Sequence, residues 1–164
     1  MLPKIKTNVK NNLDIKVYNE FDFIMYFDGC SKGNPGTAGA GVVIYNNDVE
    51  IWSKSVVIGE NTTNNYAEYS SLILGMEKAI ELGIKFLLIK GDSLLVINHM
   101  NGIYKCKSPN LIEHYKKAKE LEKKFNRICY KHVLRNFNKR ADDLANMAIK
   151  KYYENMYFLE DFNN

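Results

Sequence analysis

The chain has 164 residues, 46% of them hydrophobic and 26% charged, with a formal net charge of +4. That is enough length for one domain with a sizeable core, and no apolar run approaches the roughly 20 residues of a membrane-spanning helix. The N-terminal stretch MLPKIKTNVKNNLDIKVYNEFD has no apolar signal region, and it carries Asp14, Glu20 and Asp22 with no Arg, which argues against a secretory or organelle leader. Cys30, Cys106 and Cys129 are odd in number and lack a CxxC pair. They read as reduced thiols, so an intracellular protein of cytoplasm or nucleus is expected, not a secreted one.

Residues 1–20 are rich in Lys and Asn and weakly periodic, and are expected to form a flexible or loosely attached extension. FDFIMYF (21–27) is continuous enough in aromatic and aliphatic residues for a buried strand. GNPGTAGAG reads as turn and loop, GVVIYNN (41–47) as a second strand, and Asn46-Asn47-Asp48 as a hairpin turn. EIWSKSVVIG (50–59) alternates as a third strand. The next segment, NTTNNYAEYSSLILGMEKAIELG, offers Thr and Asn caps, apolar positions at helical spacing and Gly83 as a stop.

A short strand IKFLLIKGD (84–92) and a short helix SLLVINHMNG (93–102) follow. PNLIEHYKKAKELEKKFN then carries Leu111, Tyr115, Ala118, Leu121 and Phe125 on one helical stripe. RICYKHV (127–133) is a fifth strand, and NKRADDLANMAIKKYYENM a last helix. Three strands joined by turns predict an antiparallel meander, and two helix-linked strands predict parallel additions. The expected fold is therefore α/β, a mixed five-stranded sheet flanked by helices. Residues 21–155 form the expected domain, and 156–164 a C-terminal tail.

Charge is uneven. From Lys105 to Arg140 there are twelve basic residues against Glu113, Glu120 and Glu122, a net +9. Such a segment fits a polyanion partner or a solvated helix face. Acids, in contrast, stand at strand ends and helix starts: Asp28 ends strand one, Asp92 ends strand four, Glu68 follows TTNN, and Asp142 and Asp143 open the last helix. Singly, each has an ordinary reading as turn residue, cap or helix-dipole partner. Gathered outside the sheet's strand ends, they repel one another and need protons or cations. Oxygen ligands without a His or Cys cluster select Mg²⁺ or Mn²⁺, and a pair of such ions suits phosphodiester hydrolysis.

From Phe23 to Ile149 the chain resembles ribonuclease H type 1, in the blocks FDGCSKGNPG, TTNNYAEYSSL, KGDSLLVI and HVLRNFNKRADDLA, which stand in the family's order. The resemblance implies an RNase H-like fold and an endonuclease that hydrolyses the RNA strand of RNA/DNA hybrids, leaving 5′-phosphate and 3′-hydroxyl ends. It implies Asp28, Glu68, Asp92 and Asp142 as catalytic ligands of two Mg²⁺ ions, with Mn²⁺ as a substitute. Gly29, Cys30 and Ser31 match the loop that meets the RNA, Asn34, Asn64 and Asn65 match hybrid contacts, and Thr63 matches a phosphate contact. Double-stranded RNA and ribonucleotide-containing DNA are further candidate substrates, and a monomer is expected.

Two departures from the family stand out. LRNFN has no His where many members carry one before the last Asp, and Arg135 is the candidate substitute. NGIYKCKSPNL is too short for the Trp-rich basic protrusion, which places the chain in the compact branch and leaves the lysines of the 110–126 helix as a candidate grip. A proofreading-type exonuclease would show Asp-x-Glu on strand one, and a P-loop would end in Gly-Lys-Ser/Thr; neither pattern is present. The remaining alternative is a catalytically silent module that binds hybrid or double-stranded RNA.

Overall fold

The computed structural model describes residues 21–161; the extension expected over 1–20, and residues 162–164 of the expected tail, lie outside the described residues. Its strands are β1 (Phe23–Gly33), β2 (Gly36–Asn46), β3 (Val49–Thr62), β4 (Phe86–Gly91) and β5 (Arg127–His132). Its helices are α1 (Asn64–Glu81), α2 (Leu94–Met100), α3 (Pro109–Glu122) and α4 (Lys139–Asp161), with a single 3-10 turn over Arg135–Phe137. Among the described residues no helix is long and apolar enough to cross a membrane.

The sheet order is β3-β2-β1-β4-β5, antiparallel across the first three strands and parallel from β1 to β4 to β5. This is the mixed sheet that the element order predicts. Asn47 and Asp48 both take positive φ, the two-residue turn that matches the twist of a β2–β3 hairpin. Two expectations fail. Strand β1 does not end at Asp28 but runs on through Gly29, Cys30 and Ser31 to Gly33. Gly36–Gly41, read as turn and loop, belongs to β2, so that only Asn34-Pro35 turns between the strands.

The reason lies in what packs there. A Cβ on Gly39 would stand 2.3 Å from the Ala145 carbonyl oxygen, and one on Gly41 would stand 2.0 Å from that of Ala141. Small residues let α4 lie directly on β2, so glycine marks close helix–strand contact here and no turn. Strand β3 and helix α4 also run further than expected, to Thr62 and Asp161.

The main core lies between the sheet and α1, α2 and α3. Met25, Phe27, Val42, Ile44, Leu87 and Ile89 face Tyr69, Leu72, Met76, Val96, Ile97 and Leu111. Thr63 caps α1 by accepting the Tyr66 N–H, Ser93 caps α2 by accepting the Val96 N–H, and Gly83 leaves α1 with positive φ. On the opposite face, Arg140 of α4 forms a two-pronged pair with Glu50 of β3, at 3.0 and 2.9 Å.

Gly29 sets the approach of α1 to β1. A Cβ there would meet the Ala67 carbonyl carbon and the Glu68 nitrogen, both at 2.2 Å. Neither is a flexible side-chain end, so α1 itself would have to move. Gly29→Ala is expected to cost about 1–3 kcal/mol or more, read as a lower urea midpoint at unchanged m-value. An unchanged midpoint would contradict this packing.

Candidate active site

The parallel pairing of β1 with β4 ends at Phe27 and Gly91, so Asp28, still in β1 and paired with Gly41 of β2, and Asp92, just beyond β4, follow the last pair side by side. Gly91 has no side chain where the Phe27 ring lies; a Cβ there would stand 2.5 Å from that ring. Glu68 reaches the same point from the second turn of α1, which the contact at Gly29 holds against β1. Carboxylate oxygens of Asp28, Glu68 and Asp92 all lie within 4.8 Å of one another. The structure thus brings three of the four predicted acids into one cluster. Asp142, in the first turn of α4, lies beside Asp28, but its Oδ1 is engaged by the Arg135 guanidinium at 2.9 Å.

The cluster is deep enough for its charge to matter. Burial, with like charge from Asp92 and Asp142 added, raises the Asp28 pKa to about 7. Burial likewise raises the Glu68 carboxyl well above the usual carboxylate range, with Asp28 and Asp92 reinforcing it, while the Gly29 N–H opposes the shift. Glu68 Oε2 is buried with no hydrogen-bond partner among the described residues. Close carboxylates and an orphaned acceptor, with no His or Cys in the cluster among the described residues, fit a hard divalent cation.

Neighbouring groups hold the cluster from behind. His132, on β5, places Nε2 3.2 Å from the Asp92 carbonyl oxygen, and because a carbonyl only accepts, Nε2 carries the hydrogen. Asn138, which the sequence reading passed over, donates from Nδ2 to the Phe27 carbonyl and to Asp92 Oδ1. An Asn just before a helix looks like an ordinary cap, so nothing local in NKRADD separates it from one.

The predicted substrate loop is a connected unit. The Ser31 N–H donates to Asn64 Oδ1 at 2.7 Å, and the Asn64 N–H donates to Asn34 Oδ1 at 3.0 Å. Ser31 Oγ also donates to the Thr62 carbonyl. The amide oxygens of Asn34 and Asn64 are therefore used internally, while their amino groups have no partner among the described residues. Asn65 is exposed beside them, and Thr63 spends its hydroxyl on the α1 cap. Cys30 Sγ lies 3.8 Å from Asn146 Oδ1, and burial pushes its thiol up to about 11, so it stays neutral near pH 7.

The lysine grip expected of α3 is weaker than the sequence count implies. Lys116, Lys117, Lys119 and Lys123 each pair with a glutamate, respectively Glu113, Glu77, Glu122 and Glu120. Exposed pairs of this kind carry little net field.

The Asp28 shift has a stability consequence. Its native pKa of about 7 lies above its ordinary 3.8, so between these values the folded chain holds more protons than the unfolded one. The contribution is full below the ordinary value and is lost as pH rises through about 7. In EDTA, Asp28→Asn is therefore expected to melt above the wild type at pH 8, with the gap closing toward pH 4. Thermal melts across this range check it, and a gap that widens at low pH would contradict it.

The geometry agrees with relationships to known proteins. The family described as reverse transcriptase-like matches residues 26–148. A bifunctional protein of Mycobacterium tuberculosis is 41% identical over 128 residues, 74% of this chain, which spans about a third (34%) of that relative's length. Ribonuclease HI of Halobacterium salinarum is 39% identical over 124 residues, covering 76% of this chain and 62% of that protein. Among solved structures, LC11-RNase H1 in complex with an RNA/DNA hybrid matches with a TM-score of 0.76 and 38% identity, over 80% of this chain and 99% of that one. With its carboxylates gathered where the parallel β1–β4 pairing ends and this shared fold, the chain belongs to the type 1 ribonuclease H family.

Proposed function

We propose that this protein is an endoribonuclease that hydrolyses the RNA strand of RNA/DNA hybrids, leaving 5′-phosphate and 3′-hydroxyl ends. The observation that carries this reading is the cluster of Asp28, Glu68 and Asp92, whose carboxylate oxygens lie within 4.8 Å of one another beside an asparagine-lined loop. A relative solved in complex with an RNA/DNA hybrid supports the choice of substrate.

Asp28, Glu68 and Asp92 would hold Mg²⁺ or Mn²⁺, with Asp142 joining them when Arg135 releases it. When bound, a pair of such ions supplies charge for the developing phosphate oxygens and the leaving group and lowers the pKa of an attacking water. The chain's own residues do the rest. Asn34 and Asn64 use their amide oxygens to shape the loop and turn amino groups outward, where they can donate to sugar and base acceptors. Backbone groups at Gly29, Cys30 and Ser31 line the same edge. Short donors at sugar height can sense the 2′-hydroxyl, the group that separates RNA from DNA. Arg135, exposed and close to the acids, stands beside the place of the family's loop His, near Asn136, and can exchange its partner Asp142 for a phosphate.

Residues 21–155 are proposed to suffice for this activity. Incubated with a uniformly labelled hybrid, the protein should cut the RNA strand with Mg²⁺ and stop cutting in EDTA. Asp28→Asn should lower kcat by at least about a hundredfold while the variant still binds the hybrid. Cleavage by Asp28→Asn at the wild-type rate would refute the assignment, and binding without any wild-type cleavage would favour the silent-module alternative.

A further inference from the structure

Asn138 closes the 3-10 turn and precedes α4, and only 1% of its surface is exposed. Its Nδ2 stands 2.9 Å from the Phe27 carbonyl oxygen and 3.1 Å from Asp92 Oδ1. The Phe27 carbonyl can only accept, so the amino end of the amide faces this pair and spends both its hydrogens on it. The Asn138 backbone carbonyl accepts the Asp142 N–H at 3.1 Å. One residue therefore touches the position before Asp28, the carboxylate of Asp92 and the backbone of Asp142.

The orientation is not that of a helix cap. A capping Asn turns its side-chain oxygen onto the free N–H groups of the first turn. Asn138 Oδ1 is instead buried without a hydrogen-bond partner among the described residues. Burying an acceptor unpaired works against folding, so the side chain faces Asp92 and Phe27 at the expense of its own helix. Its bond is also the one hydrogen bond that the Asp92 carboxylate makes among the described residues. His132 holds only the Asp92 main chain.

We propose that Asn138 is a positioning residue for the metal centre: it pins the Asp92 carboxylate to the β1 backbone at Phe27, fixing its separation from Asp28 for a shared divalent cation. Outer-shell donors of this kind orient ligand carboxylates and raise metal affinity. The inference rests on the ribonuclease reading above, because it takes the cluster to hold Mg²⁺. It assigns Asn138 no contact with RNA, so its loss should act on the metal and on turnover and spare substrate binding.

The test uses the full chain and Mg²⁺ itself, in wild type, Asn138→Ala and Arg140→Ala. Arg140→Ala serves as the control, because it removes the Glu50 pair from the same helical turn. Calorimetry and thermal shift without nucleic acid give the Mg²⁺ midpoint, and cleavage of a labelled hybrid gives kcat and KM. Asn138→Ala is expected to raise the Mg²⁺ midpoint about tenfold or more in both assays and to lower kcat, leaving KM for the hybrid near the wild-type value. Arg140→Ala should keep the wild-type midpoint.

If wild type binds Mg²⁺ and cuts hybrid but Asn138→Ala keeps the same midpoint, this inference is wrong. If wild type neither binds Mg²⁺ nor cuts, the ribonuclease reading itself falls. Should Asn138→Ala not fold, the wild-type side-chain amide protons of Asn138 decide by NMR. Slow exchange and a shift that tracks Mg²⁺ binding support the proposal, and resonances unmoved by saturating Mg²⁺ overturn it.

Discussion

Carboxylates crowded where a parallel strand pair ends repel one another, and much of this protein's architecture answers that repulsion. The β1–β4 register alone sets Asp28 beside Asp92, and α1 adds Glu68 from the other side of the strand. Among the described residues no lysine or arginine forms an ion pair with these three, and the Arg135 guanidinium engages Asp142. The cluster therefore stores an unfavourable field in the free protein. Such a field is tolerable only on a rigid support, which here is the central strand of a five-stranded sheet with helices packed on both faces.

Close contacts supply that rigidity more than electrostatics does. Gly29 admits the backbone of α1, Gly91 admits the Phe27 ring, and Gly39 and Gly41 admit the backbone of α4. Each glycine brings an acid-bearing element nearer than a side chain would allow. The loop that leads from β1 is braced differently, by amide oxygens of Asn34 and Asn64 on backbone N–H groups. Packing thus places the acid-bearing elements, and hydrogen bonds brace the proposed RNA-facing part.

The sequence made much of this legible, for identifiable reasons. Asp28 and Asp92 stood out because each closes a buried apolar run, and acids gathered outside strand ends of one sheet need a cation or a proton. Glu68 and Asp142 were legible mainly through the blocks around them. What failed was local. Gly36–Gly41 looked like loop because glycine carries no sign of whether it turns a chain or admits a neighbour. The α3 lysines looked like a field because Glu77, which neutralises Lys117, lies forty residues away in sequence. Asn138 was invisible for a similar reason, since its partners Phe27 and Asp92 belong to distant strands.

The seating of α4 on β2 has a consequence for how the protein can vary. Where Gly39 and Gly41 meet the carbonyls of Ala141 and Ala145, main chain rests on main chain. The height of this helix above the sheet, and with it the placement of Asp142, does not depend there on the size of any core side chain. Met25, Leu72, Met76 and Leu87 pack on the other face of the sheet. Substitutions among them can be absorbed by α1, α2 and α3 without passing through to α4. The fold thus separates a face free to drift over generations from one whose spacing is locked, and the fourth acid is carried by the locked one.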